Sequence, residues 1–236
     1  MKCFCCVPLI LLLYAPMCPG ENLLIPFTAF PDLNDAQKVK RVVDSYTFHR
    51  QFNDNKFKSS PKVFDYLLDR MPLTSVIMRH LELEEYEIAV RDDGMMIYDD
   101  KHGMTGTFEP VYHEGNKRIF YGDGLFDAGI LGDVRGESVV VMDCTEEEPE
   151  VLRNKVTVYI RVHGLLGPLC KAASPILNGL VSRKSGALLQ ASAQLSEQLT
   201  EDPAGVLERI RTCAAITPEQ LADFRSVFLG LPQETE

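Results

Sequence analysis

Two hydrophobic periods meet within twenty residues of one another, and this junction limits the folds open to the chain. In KVTVYIRV, residues 155–162, Val156, Val158, Ile160 and Val162 share one face while Lys155, Thr157, Tyr159 and Arg161 share the other. That is the period of a half-buried β-strand, with the first face covered and the second wet. From Leu166 the apolar residues instead fall three and four apart, through Leu169, Ala173, Ile176, Leu177, Leu180, Leu188, Ala191, Leu195 and Leu199. A stripe that persists over about thirty residues describes a long amphipathic helix. The strand needs a cover and the helix needs a surface, so the economical packing lays the helix across the sheet. Pro168 suits a first turn, whereas Pro175 falls inside and is expected to kink or split the helix.

Upstream of the junction, from Tyr86 to Val162, strand and turn signals dominate. YEIAVRD, GMMIYDD, GTFEPVYHE, KRIFYGDG, ESVVVMDC and KVTVYIRV read as six segments with short connections, which predicts an antiparallel meander. The acidic run Glu146 to Glu150 reads as a solvated hairpin turn. Before the meander, YTFHRQFNDNKF alternates as a strand would, and Ser60-Pro61 opens a helix whose stripe is Val63, Phe64, Leu67 and Leu68. Pro72 divides this from a second short helix through Ile77, Met78 and Leu81. An earlier helix runs to about Tyr46, with Asn34 as its cap and Gln37 completing a capping box. Two further helices start at Asp202-Pro203 and Thr217-Pro218-Glu219-Gln220 and are expected to form a peripheral tail.

The first twenty residues, MKCFCCVPLILLLYAPMCPG, have one Lys, an apolar run from Val7 to Ala15, then Pro16, Pro19 and Gly20. This is the layout of a secretory signal peptide, cleaved near Gly20, and the run is short for a bilayer span. A lipid anchor on Cys18 competes, although Ala15-Pro16-Met17 matches poorly the residues that precede such an anchor. The expected location is therefore periplasmic or secreted, with membrane proximity only through the leader or Cys18. The formal charge is -10, and cleavage removes Lys2 and no acid, so the mature chain is more acidic still. Such a surface repels phosphate backbones, which argues against nucleic acid as a partner. Cys144, Cys170 and Cys213 survive processing; three cysteines this far apart form neither a disulfide framework nor a zinc site and read mainly as small buried residues, with one bridge plus a free thiol as the alternative in an oxidising compartment.

Strand, two small helices, antiparallel meander, then a long helix across the sheet: this order resembles the START-like, helix-grip (SRPBCC) superfamily, over residues 45–200. The resemblance is one of element order and hydrophobic pattern. It implies an α+β fold in which a curved antiparallel sheet grips the C-terminal helix around an apolar cavity, here in an exported member of bacterial type. The domain division expected is then 1–20 signal peptide, 21–44 extension and helix, 45–200 START-like domain and 201–236 helical tail. Glycines 94, 103, 106, 122, 124, 129, 132 and 136 would permit the curvature. Wall candidates are Met95, Met96, Phe108, Tyr112, Phe120, Val158, Ile160, Leu169 and Ile176. A solid core would use the same residues at the same spacing.

Motifs that would name a chemistry are weak. Ser59-Ser60-Pro61-Lys62 has a serine–lysine spacing, but its usual companions are absent and Ser60-Pro61 serves as a helix cap. Asp92, Asp93, Asp99, Asp100 and His102 cluster as calcium ligands would, though hairpin turns use aspartate for local hydrogen bonds. Histidines 49, 80, 102, 113 and 163 fall singly, and Gly122-Asp123-Gly124 reads as a turn. Arg161 belongs outward by its face. These readings leave a binding or carrier protein for a lipid or other hydrophobic small molecule, with no cofactor and no metal. The alternatives are a cyclase-like or hydrolytic enzyme using the same cavity, with His113 and Asp143 converging as acid and base, and a non-catalytic domain that binds a partner through its tail.

Overall fold

A computed structural model describes residues 25–127, 133–164 and 174–230. A 3-10 turn at Phe27–Ala29 leads into α1 (Leu33–Asp44), followed by β1 (Phe48–Lys58), α2 (Pro61–Asp69) and α3 (Met71–His80). Then come β2 (Glu87–Val90), β3 (Met96–Asp99), β4 (Met104–Glu114), β5 (Lys117–Asp127), β6 (Asp133–Glu148) and β7 (Val151–Val162). Three helices close the described chain: α4 (Ser174–Glu201), α5 (Pro203–Ile210) and α6 (Pro218–Leu229).

Capping chemistry sets most helix starts. The Ser60 and Asp202 side chains accept backbone hydrogen bonds from Val63 and Gly205, each with proline in the following turn, and Thr217 with Gln220 forms a full capping box. For α1 the cap is Asp32, whose carboxylate accepts from Asn34 N at 2.7 Å, and not Asn34 as the pattern implied. Aspartate two residues earlier reaches the amide of the second helical residue, so the helix begins two residues sooner. Pro175 lies in the first turn of the described part of α4. Residues 165–173, which carry Pro168, Leu169 and Cys170, lie outside the described residues.

The seven strands form one antiparallel sheet in the order β1-β7-β6-β5-β4-β3-β2, a meander whose last strand returns beside the first. Gly122 and Gly124 sit within β5, pairing Phe108 and Gly106, and are not a turn. Gly106, Gly124 and Gly136 are cross-strand neighbours on β4, β5 and β6. A Cβ on Gly106 would come within 2.6 Å of the Asp123 carbonyl oxygen, and one on Gly124 within 2.7 Å of that of Thr105. Only glycine permits so close an approach, and the aligned row lets the sheet bend sharply there. The turn after β6 is confined to Pro149 and Glu150; the ladder pairs Glu146 with Leu152 and Glu148 with Val151, leaving Glu147 at a bulge where its carboxylate meets Lys56 at 2.6 Å and Arg153 at 2.8 Å.

α4 runs diagonally across the inner face. In the first half of the helix Lys184 pairs with Asp100 at the β3–β4 turn, and near its C-terminal end Glu197 accepts from Lys58 N of β1 at 3.3 Å and Glu201 pairs with the Lys58 ammonium at the same distance. Against α4 pack α2 and α3, through Val63, Leu67, Ile77 and Met78, together with Val206, Ile210 and Phe224 of the last two helices. The last two helices are therefore part of the main core, with Phe224 fully buried, and are not a peripheral tail.

The outer face of the sheet is also covered. Val39 and Val42 of α1 and Phe30 before it pack on Val111, Ile119, Val139, Val141 and Tyr159. Thr157 and Tyr159, which alternation placed in water, are 0% and 7% exposed. Thr157 is buried with its hydroxyl unpartnered, while Tyr159 packs into the apolar cluster that Val39 and Val42 of α1 close over the sheet.

Candidate functional site

A cavity of about 330 Å³ lies between the inner face of the sheet, α4 and the α2–α3 pair. The sheet contributes Phe108, Phe120, Val140, Met142, Val156 and Val158, the small helices Phe64, Leu67, Leu68, Met71 and Met78, and α4 Leu188 and Leu189. The curvature that holds the walls apart comes from the glycine row, since Gly106, Gly122 and Gly124 themselves line the floor. Several polar residues also line it, and three of them are satisfied within the protein: Thr74 bonds the Leu67 carbonyl at 2.8 Å, Ser192 the Leu188 carbonyl at 2.8 Å, and Tyr86 donates to the Met78 sulfur at 3.2 Å. Burial raises the Tyr86 and Tyr98 hydroxyls above the usual phenol range, so both stay neutral donors. A second pocket of about 410 Å³ shares Phe64, Leu68 and Met142 with the cavity.

Of the wall candidates, Phe108, Phe120 and Val158 line this cavity. Met96 packs into the adjoining helical core, and Met95 is half-buried after the β2–β3 turn, outside the lining. Ile160 shares Val158's face but is half-buried beside Ser138 and Phe48, also outside the lining. Tyr112 is a correction: it sits on the outer face against Phe30 and gives its hydroxyl proton to Glu114 at 2.6 Å. The register shifts between Pro110 and Tyr112, so a bulge at Val111 moves Tyr112 off the face that strict alternation assigns it. Leu169 lies outside the described residues, and nothing is described of the Ile176 side chain.

The α2–α3 wall and the serines of α4 escaped the reading of the sequence. The first was visible as the stripe Val63, Phe64, Leu67 and Leu68; the second as Ser185 and Ser192, seven residues apart on the face that carries Leu188.

Other candidate residues have structural work. Asp93, Asp99 and Asp100 accept backbone hydrogen bonds from Met95, Lys101 and both His102 and Met104, which is turn chemistry. No group of three or more His, Cys, Asp or Glu among the described residues is arranged to hold a metal. Cys144 and Cys213 are half-buried free thiols, and burial pushes Cys144 up to about 12, far from a nucleophile's range. His113 and Asp143 stand on β4 and β6 with β5 between them, neither lines the cavity, and Asp143 is held by Asn116 at 2.7 Å. They do not form an acid–base pair.

The densest charge cluster lies on the outer face. Glu137, 3% exposed, accepts from the Tyr121 hydroxyl at 2.6 Å, Arg161 at 2.6 Å and Arg41 of α1, with His163 Nε2 at 3.1 Å. Burial alone would raise its pKa, but these hydrogen bonds outweigh burial and lower it from 4.5 to about 2. Arg161 thus points outward, paired with Glu137 and still part-exposed to solvent. The cluster fastens α1 to the sheet through Arg41.

No family model and no curated protein matches the chain. Solved structures do show similarity. A conserved protein from Geobacillus kaustophilus is 14% identical, with 64% of this chain and 95% of that one covered and a TM-score of 0.45. The ZhuI aromatase/cyclase from Streptomyces sp. R1128 is 11% identical, with 66% and 98% covered and a TM-score of 0.41. A START superfamily protein from Mycobacterium smegmatis is 14% identical, with 65% and 98% covered and a TM-score of 0.37. At these identities the likeness concerns the fold alone. The strand order, the glycine-bent sheet and the helix laid across its inner face give the chain a START-like, helix-grip fold.

Proposed function

We propose that the protein is an exported binding or carrier module for a lipid or other apolar small molecule, held between the sheet and α4. The observation that carries this reading is the cavity of about 330 Å³, walled on three sides by Leu, Met, Val and Phe side chains. A molecule that covers roughly 300 Å² of apolar surface there gains about 7 kcal/mol before the cost of its own ordering. In this reading the apolar run of residues 7–15 is the export signal, removed near Gly20.

The test is uptake of the neutral dye Nile red by delipidated protein, alongside native mass spectrometry of the protein as purified. Wild-type protein is expected to take up the dye and to carry added mass as isolated. Val140→Phe, which projects a ring into the cavity between Phe120 and Val158, is expected to abolish uptake with the circular dichroism spectrum unchanged. Undiminished uptake by Val140→Phe would place the dye elsewhere and defeat the reading.

A further inference from the structure

Resting on the cavity reading, we infer that the ligand is uncharged and carries a hydroxyl or carbonyl oxygen, which Ser196 receives. Ser196 lines the cavity, is 0% exposed, and its Oγ has no hydrogen-bond partner. Its neighbours one turn away on α4 are not in that state. Ser192 donates to the Leu188 carbonyl and Thr200 to the Ser196 carbonyl, each at 2.8 Å, the usual way for a helical hydroxyl to be satisfied. A buried hydroxyl without a partner is costly, and a ligand oxygen would relieve that cost.

Charge decides the rest. The described lining residues include no Lys, Arg or His, and the one acid, Asp123, is paired with Arg135 at 2.9 Å. Lys184, next to the lining residue Ser185, is committed to Asp100 and to the His102 carbonyl. A carboxylate or phosphate would therefore enter without a counter-ion, a cost that apolar burial does not offset. An alcohol or ketone enters without it.

The probes are 1-decanol, decanoate and 1-decene, equal in chain length, each competing against Nile red at pH 8. Decanol is expected to bind about tenfold more tightly than decene, one hydrogen bond's worth, and decanoate more weakly than either. Ser196→Ala is expected to remove the tenfold advantage of decanol and to leave decene unchanged. The same substitution should leave the stability of the empty protein equal or higher, because it deletes an unsatisfied group. Decanoate binding as well as decanol, or Ser196→Ala weakening decanol and decene alike, would overturn the inference while leaving the cavity reading intact. Failure of all three probes and of the dye would overturn both.

Discussion

The two faces of the sheet are built from alternate residues of the same strands, and they end differently. On the outer face Ile119, Val139 and Val141, all 0% exposed, pack in one cluster with Val39 and Val42 of α1. On the inner face Phe120, Val140 and Val158 look across a void at α4. A short helix can sit flush on the outer face, because the side chains there come up to meet it. On the inner face the glycine row curls the sheet around α4, and a curled sheet keeps its floor away from a straight rod. Curvature, more than hydrophobicity, separates a filled layer from a lined one.

Truncation should therefore cost unequally on the two sides. Ile119→Ala empties a closed contact and is expected to destabilise by about 3 kcal/mol in urea denaturation, whereas Val140→Ala enlarges an existing space and should cost about 1 kcal/mol. Equal losses would erase the distinction. Glu137→Gln leaves Arg41 and Arg161 facing a weaker partner and should cost about 2–3 kcal/mol. The pH dependence follows from the lowered pKa of Glu137: its contribution is complete above about 4.5 and is lost as pH falls toward about 2. Acid titration of stability should show that loss in the wild type and a flatter profile in Glu137→Gln. Gly124→Ala, forced against the Thr105 carbonyl, should cost about 2 kcal/mol and reduce ligand uptake as the sheet flattens. Lys184→Ala should cost about 1 kcal/mol or less and speed amide exchange in the β3–β4 turn, since the partner Asp100 keeps its backbone donors.

Much of the inner architecture was legible because alternation and helical spacing are strong signals when one face is apolar. The six segments from Tyr86 to Val162, the strand before Ser60 and the crossing helix all follow from period alone. The outer layer was not legible, for the opposite reason. Thr157, Tyr159, Arg161 and Glu137 are polar or charged, and only the arrival of Arg41 and its neighbours on α1 turns that face from wet to covered. Tyr112 was misplaced by a bulge, which shifts one residue's face without any change in composition. The serines of α4 look like solvent-facing residues until the curvature puts them against a space. The last two helices carry good caps but short stripes, and nothing local says that Phe224 reaches the main core.

Whether the inner face is lined or filled is tested most directly by Ser192→Phe, which pushes a ring from α4 toward Val158 and Val140. With a true cavity, stability in urea changes by less than about 1 kcal/mol and Nile red uptake is lost, because the ring occupies the ligand's space. A loss of about 2–3 kcal/mol, the cost of forcing a ring into a packed core, would contradict the account.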